Sequence, residues 1–369
     1  MKIKKFKVNY SIVIPCLNEE DSIGICLKKI NKILKKKNYE IIVVDNGCTD
    51  NSINIAKKYK ARIVKETKKG YGNAIRSGIN ASKGEYLIFG DADNSYDFLE
   101  LNKFITQFEN GYDFIMGCRL PKYGGRIKSG AMPLSHRLFG NPFFSALAKL
   151  FFKVKFNDIY CGLRGFKKSI YLKKNFFCTQ MDFALEHAIK CFYSCEKFKE
   201  IPITLHRDSR ILGKSHLNTF RHGLATLKFF ALFSPNYIFF MPGLILILMS
   251  ITLPLLLSEI LNNTLNIDSN LIIPSFFILG TQLLFFGIFS KYFSIYFEFL
   301  SFKKYFNYFR ENIFYTVSFL LFVFSILYNL NENNFNFVNI KPYFFFYLSI
   351  VVLVNTLILG FLKFLTNID

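Results

Sequence analysis

Two carboxylates one residue apart, Asp91 and Asp93, directly follow a short apolar run from Tyr86 to Phe89. The run has the length and composition of a buried strand in a parallel sheet. Ligands of open α/β sheets bind beyond the carboxyl ends of the strands, so we expect both carboxylates at the mouth of a cleft. Two carboxylates that face one small volume repel each other unless a cation lies between them. A divalent ion such as Mg²⁺ that also binds substrate phosphates would supply that charge; a solvated Asp-Ala-Asp turn is the alternative.

Charged side chains also follow two other apolar runs. Asp45 ends the run from Ile41 to Val44, and Arg119 comes shortly after the run from Phe114 to Met116. The carboxyl ends of parallel strands meet at one edge of a sheet, whereas scattered surface residues would show no preference for strand ends. This recurrence predicts a single site for phosphates and a metal ion.

Helices are predicted between these runs. Ser11 to Ile14 is a first apolar strand that stops at Pro15, and the acidic run from Asn18 to Asp21 is expected to begin a helix, where negative charge is favourable. Apolar residues then recur at helical spacing at Ile23, Leu27, Ile30 and Leu34. Strands that alternate with helices of this length predict an α/β fold with a mostly parallel sheet and right-handed crossovers.

The sequence Gly70-Tyr71-Gly72 opens another predicted helix. It lacks the third glycine of a dinucleotide-binding fingerprint and does not follow the first strand, so we reject Rossmann cofactor binding. Two interpretations stay open. The small residues let a phosphate approach the backbone amides, with Lys69 and Arg76 beside it, or they form a tight turn with close helix–sheet packing.

Three further polar segments lie between apolar ones. Residues 121–141 are rich in glycine and basic residues, and we predict a mobile loop before a helix from Phe143 to Phe152. Asp182 and Glu186 are four residues apart and share a helix face, with Glu186 expected to be a solvated acid. The basic stretch 201–216 either closes over an anionic substrate or is ordinary protein surface.

The composition favours a membrane protein over a nucleic-acid binder. The 369 residues include 47 Lys and Arg against 26 Asp and Glu, and the net charge of +21 suits nucleic acid, an anionic membrane or a phosphorylated substrate. The Phe-rich C-terminal third favours the membrane. Eight Cys lack paired or metal-site spacing, and we expect reduced thiols. A strand rather than an apolar segment follows the basic N-terminus, so we expect no secretory signal.

Four uncharged segments of the C-terminal half are long enough to span a bilayer. We predict transmembrane helices near 236–257, 271–296, 313–330 and 342–363. The loop around Lys303, Lys304 and Arg310 is basic, whereas the neighbouring loops lack Lys and Arg, so the basic loop is expected to be cytoplasmic. The predicted domains are a cytoplasmic catalytic domain (1–218), a juxtamembrane amphipathic helix (219–235) and a four-span domain (236–369). A buried four-helix core of a soluble protein is the disfavoured alternative.

The motifs up to Pro235 resemble those of family 2 glycosyltransferases with the GT-A fold. The most similar subgroup is that of polyprenyl-phosphate sugar transferases, such as dolichol-phosphate mannose synthase and dolichol-phosphate glucose synthetase-like proteins. The shared motifs are Val13-Ile14-Pro15 with Asn18-Glu19-Glu20, Val44 to Asp50, Gly70-x-Gly72-x-Ala74, Asp91-Ala92-Asp93, Gly117-Cys118-Arg119, Asp158 to Arg164, Met181 to Ala184 with Glu186, and Ser234-Pro235. The predicted spans match only in type.

The resemblance implies roles for individual residues. Asp91 and Asp93 would bind Mg²⁺ or Mn²⁺, and Asp158 would occupy the position sometimes proposed as a catalytic base, with Asp93 and Arg119 as the other catalytic residues. The nucleotide sugar would be bound by Pro15, Asn18, Glu19, Asp45, Gly47, Lys69, Gly70, Arg76, Asp91 and Ala92, with Asp45 near the base. The lipid phosphate would be bound by Arg119, Arg137, Arg210 and Lys214.

The chain departs from the family pattern at two places. Asn46 replaces the second Asp often found there, and Asn94-Ser95 replaces the Gly-Gln or Leu-Gln that commonly follows the metal motif. Both departures put details of nucleotide or metal binding in doubt, and neither removes the Asp91/Asp93 pair.

These expectations describe an integral membrane enzyme, in a bacterial or archaeal plasma membrane or in the endoplasmic reticulum. It would move a hexose from a nucleotide diphosphate sugar, of the UDP-glucose or GDP-mannose type, to polyprenyl phosphate at the cytoplasmic face, with inversion and with metal dependence. The acceptor phosphate is already ionised near neutral pH, because the second pKa of such monoesters is about 6. Asp158 is therefore expected to position groups more than to remove a proton. A homo-oligomer stays open.

The sequence disfavours two other functions. A processive polysaccharide synthase would carry a Gln-x-x-Arg-Trp motif, and this sequence has no Trp. A non-enzymatic membrane protein regulated by nucleotide-sugar binding would not need the Asp91/Asp93 pair. A nucleic-acid partner is not expected, since the basic residues flank a predicted cleft and a bilayer.

Overall fold

The computed structural model describes residues 8–210, 219–263, 269–297, 299, 316, 319–320, 323 and 343–366. The chain divides into two compact units, Met1–Phe229 and Phe230–Asp369. The predicted domain boundaries after residues 218 and 235 stay predictions.

Strands and helices alternate along the first unit. Its strands are β1 (Val8–Cys16), β2 (Tyr39–Asp45), β3 (Arg62–Lys65), β4 (Gly84–Phe89), β5 (Phe114–Cys118), β6 (Arg126–Ile127), β7 (Arg164–Lys167), β8 (Phe198–Pro202) and β9 (Thr204–Leu205). Its α-helices are α1 (Ile23–Leu34), α2 (Ser52–Lys58), α3 (Tyr71–Ala81), α4 (Leu101–Glu109), α5 (Asn141–Phe152), α6 (Lys168–Tyr171) and α7 (Phe183–Ser194), and α8 (Thr219–Phe233) begins in it. A π-helical turn, His136–Gly140, leads directly into α5.

A seven-stranded sheet with the order β3-β2-β1-β4-β7-β5-β8 forms the centre of this unit. β7 is antiparallel to its neighbours β4 and β5, and the other pairings are parallel. The predicted α/β fold with a mostly parallel sheet is confirmed. β6 and β9 pair as a separate two-stranded sheet. Because β1, β2, β4 and β5 run in one direction, their carboxyl ends lie at the same edge.

The sequence of β1 explains its central position. Ile12, Val13 and Ile14 have no exposed surface, and an uninterrupted apolar run is typical of a parallel strand that is covered on both faces. Helix α1 covers one face with residues at helical spacing, and its buried side chains are Ile23, Cys26, Leu27, Ile30 and Leu34. The buried side chains fix which strand is innermost and which helix face packs on it.

The acidic run before α1 lies differently from its predicted position. The helix begins at Ile23, so Asn18 to Asp21 precede it. The side chain of Glu19 is buried and accepts hydrogen bonds from Ser22 Oγ (3.1 Å) and Arg210 Nε (3.1 Å). The charge of Glu19 is therefore balanced by a distant arginine, not by the first turn of the helix.

Glu186 is not the solvated acid that the sequence predicted. Its side chain and that of Lys190, one turn later on α7, are fully buried and 2.7 Å apart (Oε1 to Nζ). The Glu186 carboxylate also accepts hydrogen bonds from the backbone amides of Phe177 (3.1 Å) and Cys178 (2.9 Å). A buried carboxylate is tolerated only when it is paired and hydrogen-bonded, and here both conditions are met. Glu186 thus fastens the loop that precedes α7.

Apolar helices form the described part of the second unit. They are α9 (Met241–Asn263), α10 (Ser269–Tyr296) and α11 (Tyr343–Thr366), preceded by a π-helical turn, Asn236–Phe240. Gly243 of α9 and Gly280 of α10 allow their backbones to approach, since a Cβ on Gly280 would lie 2.7 Å from the Gly243 carbonyl oxygen. Gln282 and Asn355 exchange amide hydrogen bonds of 3.1 and 2.8 Å between α10 and α11.

The structure does not confirm four spans. By length and composition, one described helix, Ser275–Tyr296, could cross a bilayer, and a second crossing exists if the bent pair Gly223–Phe233 and Asn236–Thr252 counts as one span. Tyr347–Ile358 is a shorter apolar helix. Most of the predicted span 313–330 lies outside the described residues. The four-span domain stays a prediction.

Replacing Lys190 by Met should destabilise the first unit by about 3–5 kcal/mol, because it leaves the buried Glu186 charge without its partner. The matched control is Lys37→Met, which removes the surface pair with Glu109, half exposed, and should cost about 1 kcal/mol or less. Urea unfolding midpoints of the full chain in detergent would measure both. Equal midpoints for the two variants would contradict the role given to the Glu186–Lys190 pair.

Candidate active site

The carboxyl end of β4 carries the two predicted metal ligands. Ala92 between them is buried, and each carboxylate is held by a hydrogen-bond donor. The Tyr71 hydroxyl donates to Asp91 Oδ1 (3.1 Å), and the Ser95 amide donates to Asp93 Oδ1 (3.0 Å). Both side chains therefore have fixed orientations beside the start of α3.

Asp91 lies in an environment that disfavours its charge. Burial, and then the neighbouring charge of Asp93, raise the pKa of Asp91 to about 7, against the opposing effects of Tyr71, Arg119 and Arg210. Burial and the charge of Asp91 also raise the pKa of the Tyr71 hydroxyl well above its ordinary value. Tyr71 thus stays protonated and can donate its hydrogen bond. The two carboxylates repel each other, and a cation between them would relieve this repulsion.

Within the described part of the chain, Arg210 is a cation that lies close to Asp93. Its guanidinium binds the Glu19 carboxylate through Nε (3.1 Å) and Nη2, and Nη2 lies 3.7 Å from Asp93 Oδ2. The preceding residue is tied to the same loop, since the Ser209 amide donates to the Asp93 carbonyl (3.0 Å). The predicted lipid-phosphate ligand therefore lies on the acids themselves. Lys214, predicted for the same phosphate, lies outside the described residues.

Arg119 and Asp158 form a buried pair. Arg119 Nε and Nη2 donate to Asp158 Oδ2 and Oδ1, both at 2.7 Å, and the Arg119 amide donates to Oδ2 at 3.0 Å. Asp158 has no exposed surface, and Arg119 is 7% exposed. Burial alone would lower the pKa of Arg119. The neighbouring carboxylate of Asp158 outweighs this effect and holds the pKa well above its ordinary value. Both predicted residues are thus brought together, with the oxygens of Asp158 engaged by Arg119.

Arg137, the other predicted ligand of the lipid phosphate, is partly buried in the turn His136–Gly140. This segment was predicted to be a mobile loop, and it is helical instead. The assignment of Arg137 stays a prediction.

The predicted nucleotide side of the site is built from turns after β1 and β2. Asp45 Oδ1 accepts from the amides of Gly47 (3.1 Å) and Cys48 (2.8 Å). Despite burial, these backbone hydrogen bonds hold the pKa of Asp45 below its ordinary value. Asn18 has a positive φ of 57° and accepts from the Thr49 amide (2.8 Å). The two turns are therefore joined, and Asp45 stays ionised.

Asn46 explains one departure from the family pattern. Its amide nitrogen donates to the carbonyls of Glu66 (3.1 Å) and Lys68 (3.0 Å), and its oxygen accepts from the Gly70 amide (2.9 Å). A carboxylate has no proton to donate to two carbonyls. An Asp could not make these contacts, so Asn46 fits its position.

The glycines of the Gly70-Tyr71-Gly72 sequence permit a close backbone contact. A Cβ on Gly70 would lie 2.3 Å from the Thr179 carbonyl oxygen, and one on Gly72 would lie 2.6 Å from that of Cys178. The Asn73 amide donates to the Thr179 carbonyl (3.2 Å). These contacts support close packing, the second of the two interpretations. Phosphate binding by these amides stays a prediction.

The remaining predicted residues surround these turns. Pro15 lies in β1. Lys69 is exposed, and its side chain lies 3.7 Å from the position that a Cβ on Gly47 would take. Arg76 on α3 interacts with Tyr171 and Glu66. Arg76 thus faces α6 and the β3 loop.

Asp91 and Asp93 fit a divalent cation that is also bound by substrate phosphates. Mg²⁺ commonly takes one or two carboxylates and completes its shell with water and phosphate oxygens. The described residues contain no cluster of three or more His, Cys, Asp or Glu that would hold a metal ion alone. Two carboxylates without a third protein ligand suit a cation that arrives with a diphosphate.

Sequence reasoning missed several residues that shape the site. Tyr71 was treated only as a spacer between glycines, yet it orients Asp91. The Tyr96 hydroxyl accepts from the Gly162 amide (2.7 Å), and Arg164, fully buried, donates to the carbonyls of Cys161 (2.8 Å) and Ile159 (2.7 Å). These bonds fix the loop that carries Asp158. Only the polar, turn-rich composition of 158–165 hinted at them.

The profile of Glycosyl transferase family 2 matches residues 11–173, which include the ends of β1, β2, β4 and β5 with Asp91, Asp93 and Arg119. This match spans less than half of the 369 residues. The predicted resemblance to family 2 glycosyltransferases is thereby confirmed over this range. The mostly parallel sheet agrees with the GT-A fold expected for this domain.

Several relatives of this chain are archaeal proteins. The low-salt glycan biosynthesis hexosyltransferase Agl6 of Haloferax volcanii is 32% identical over 235 residues, 63% of this chain and 55% of the relative. The dolichyl-phosphate hexose transferase of the same organism is 29% identical over 160 residues, 43% of this chain and 67% of the relative. The dolichol-phosphate mannosyltransferase of Pyrococcus furiosus is 26% identical over 230 residues, 59% of this chain and 63% of the relative. The chain thus spans little more than half of the length of the first relative.

Among solved structures, glucosyl-3-phosphoglycerate synthase from Mycobacterium tuberculosis in complex with Mn²⁺ and UDP-glucose has a TM-score of 0.47 and 18% identity to this chain. The match covers 61% of this chain and 77% of that chain.

Replacing Asp91 by Asn should stabilise the metal-free protein at pH 8 and leave its stability nearly unchanged at pH 4. The folded-state pKa of Asp91, about 7, lies above the ordinary value of 3.8, so the wild-type protein loses stability as the pH rises from about 4 to about 7. The gain at pH 8 should be on the order of 1 kcal/mol or more, since one pKa unit corresponds to about 1.4 kcal/mol.

Thermal unfolding in the presence of EDTA at both pH values would measure this gain. Asp113→Asn, at a surface ion pair with Lys167, is the control and should show no such gain. A destabilised Asp91→Asn variant at pH 8 would contradict the raised pKa.

Proposed function

We propose that this protein transfers a hexose from a nucleotide diphosphate sugar to the phosphate of a polyprenyl lipid, with inversion, at the cytoplasmic face of a membrane. The observation that carries the proposal is the convergence of acids and arginines at one sheet edge. The charges of Arg119 and Arg210 both act on Asp91, and Asp93 lies 3.7 Å from Arg210. Such a site can hold a cation and two anionic substrates together.

The relatives support the substrate class. Two of them are a dolichyl-phosphate hexose transferase and a dolichol-phosphate mannosyltransferase, whose names state a polyprenyl-type phosphate and a hexose. The apolar helices of the second unit suit an acceptor that resides in a bilayer. Donors of the UDP-glucose and GDP-mannose types both agree with these names and with the site.

The acids prepare the departure of the nucleotide. A divalent cation, Mg²⁺ or Mn²⁺, would supply positive charge to the departing diphosphate, and Asp91 and Asp93 would hold it. Tyr71 and Ser95 fix one oxygen of each carboxylate, so the other oxygens have defined directions. Preorganised groups of this kind need no rearrangement as charge develops.

Arg119 would bind the acceptor phosphate, and Asp158 would position Arg119. The carboxylate of Asp158 accepts three hydrogen bonds from Arg119 and is fully buried. A carboxylate bound in this way is a poor proton acceptor, because protonation would break the charged hydrogen bonds. The acceptor phosphate brings its own negative charge, as its second pKa is about 6. Orientation therefore contributes more than general base catalysis.

Arg210 would release the carboxylates of Glu19 and Asp93 and bind a substrate phosphate instead. It now balances Glu19 and Asp93, and a bound divalent cation would balance the same acids. We propose that Arg210 then turns to a substrate phosphate, which agrees with its predicted role. The preceding residue, Ser209, helps to keep Arg210 at the site. Its hydroxyl oxygen accepts a hydrogen bond from Asn94 Nδ2 (2.8 Å).

Membranes that contain the protein, incubated with labelled nucleotide sugars and polyprenyl phosphate, should transfer label from one donor into the lipid fraction when Mg²⁺ or Mn²⁺ is present. Asp91→Ala with Asp93→Ala should reduce this transfer by about 10³-fold or more, as expected for the loss of a main electrostatic contribution. Lys69→Ala, on the exposed loop, serves as a comparison with a smaller loss. Full activity in the double variant would overturn the proposal.

Replacing Asp158 by Asn should reduce kcat by about 10²-fold, which is the effect of a misplaced binding group. The reduction should be the same at every pH from about 6 to 9, a range that begins at the second pKa of the acceptor phosphate. Rates at saturating donor across this range would test it, and thermal unfolding would show that the variant is folded. Activity that is lost at neutral pH and restored at high pH would show that Asp158 is a base instead.

A further inference from the structure

The ends of β1 and β2 bring two cysteines into contact. Cys16 is the last residue of β1, and Cys48 lies in the turn that follows β2. Both are free thiols, their sulfur atoms are 3.8 Å apart, and the Cys48 thiol also donates to the Cys16 carbonyl oxygen (3.3 Å). A disulfide has an S–S distance of about 2.05 Å, so side-chain rotation and a small movement of the turn would join them. We call Cys16 and Cys48 the thiol pair.

Cys48 has the properties of a reactive thiol. It is partly exposed, whereas Cys16 is 1% exposed. The hydrogen bond with the Cys16 thiol, helped by one from the Asn18 amide, lowers the pKa of the Cys48 thiol below its ordinary value despite burial. The contact with Cys48, and then burial, raise the pKa of the Cys16 thiol. Oxidant-sensing cysteines are accessible, have a low pKa and lie beside a second cysteine that resolves the oxidised one, and the thiol pair has this arrangement.

Cys195 shows what exposure alone provides. Cys48 and Cys195 are the two partly exposed residues among the eight cysteines, all of which lie within the described range 8–210. Burial, and then the charge of Asp113, raise the pKa of the Cys195 thiol to about 11. Its thiol donates to the backbone carbonyl of Phe192 (3.1 Å). Cys195 therefore resembles Cys48 in exposure but stays protonated near neutral pH, and only the thiolate is a strong nucleophile.

We propose that the thiol pair is an oxidation site, at which hydrogen peroxide joins Cys16 and Cys48 in a reversible disulfide. The Cys48 thiolate attacks one peroxide oxygen and the O–O bond breaks, which leaves a sulfenic acid on Cys48 and a hydroxide that takes up a proton to form water. The Cys16 sulfur then attacks the Cys48 sulfur and the S–O bond breaks. The departing hydroxide takes the Cys16 proton and forms a second water. Two thiols are thus oxidised, and one peroxide is reduced.

The disulfide acts on the predicted nucleotide side of the site. The Cys48 amide donates to Asp45 Oδ1 (2.8 Å), and the next amide, that of Thr49, donates to the Asn18 side chain (2.8 Å). Drawing Cys48 toward Cys16 displaces both contacts. This consequence rests on the proposed function, because Asn18 and Asp45 are predicted to bind its nucleotide sugar. Oxidation should therefore raise the KM for the donor by at least about tenfold, the effect of misplaced binding groups, and a dithiol reductant should reverse it.

Peptide mapping of the full chain in detergent tests the disulfide directly. The protein is treated with hydrogen peroxide, its remaining thiols are blocked with N-ethylmaleimide, and it is digested without reductant. Glu19 and Glu20 lie between Cys16 and Cys26, so trypsin with a glutamate-specific protease places these cysteines on separate peptides. Mass spectrometry should find the Cys16 peptide joined to the Cys48 peptide, two hydrogen atoms lighter than their sum, and dithiothreitol should separate them.

The reduced protein provides a second measurement. Iodoacetamide at about pH 7 should modify Cys48 at least about tenfold faster than Cys195. The pKa of Cys48 lies below 9 and that of Cys195 is about 11. This gives Cys48 about 100-fold more thiolate, of which lower nucleophilicity offsets about tenfold. In the matched variants, peroxide should leave Cys16 as a free thiol in Cys48→Ser and should still produce the joined peptide in Cys195→Ser.

Two results would overturn the proposal. Recovery of both Cys16 and Cys48 as N-ethylmaleimide adducts after peroxide treatment would show that no disulfide forms. Equal alkylation rates for Cys48 and Cys195 would show that the contact with Cys16 does not activate Cys48. The peptide map involves no catalysis, so a joined peptide in a protein that fails to transfer sugar would count against the proposed function alone.

Discussion

Negative charge gathered at the end of one strand is the constraint on which this site depends. Asp91 and Asp93 lie at the carboxyl end of β4, and Glu19 lies close enough to share Arg210 with Asp93. Such acids are tolerated in a partly dry cleft only when cations or donors compensate for them. The surrounding structure provides this compensation through Tyr71, Arg119 and Arg210. This compensation is incomplete at Asp91, because burial and the charge of Asp93 still raise its pKa to about 7. Under the proposed function, a cation bound with the substrate phosphates would complete it.

Buried polar groups away from the cleft maintain this geometry. Glu186 holds the amides of Phe177 and Cys178, and the carbonyls of Cys178 and Thr179 contact the glycines at the start of α3. That helix carries Tyr71, which binds Asp91. A chain of contacts therefore runs from a buried ion pair on α7 to a carboxylate of the site.

The parts of the site that the sequence could predict are those tied to strand ends. Apolar runs locate β1, β2, β4 and β5, and the rule that ligands bind at carboxyl ends brings Asp45, Asp91, Asp93 and Arg119 to one edge. Pairings across long stretches of chain were beyond this reasoning. Arg119 meets Asp158 and Arg210 meets Glu19 only because loops fold back, and periodicity carries no signal for loops. The burial of Glu186 was missed for the same reason, since its partners include backbone amides of an irregular segment.

The helical segment 134–152 carries exposed apolar side chains, and these affect how the first unit behaves when it is produced without the rest of the chain. Exposed apolar side chains promote association in water, and Leu134, Leu138, Phe139 and Phe143 are all exposed within this short segment. Deleting the second unit would therefore not yield a freely soluble first unit, because the exposed apolar side chains belong to the first unit. Detergent would still be required for its purification, and replacing these four residues by polar ones would be the way to dispense with it.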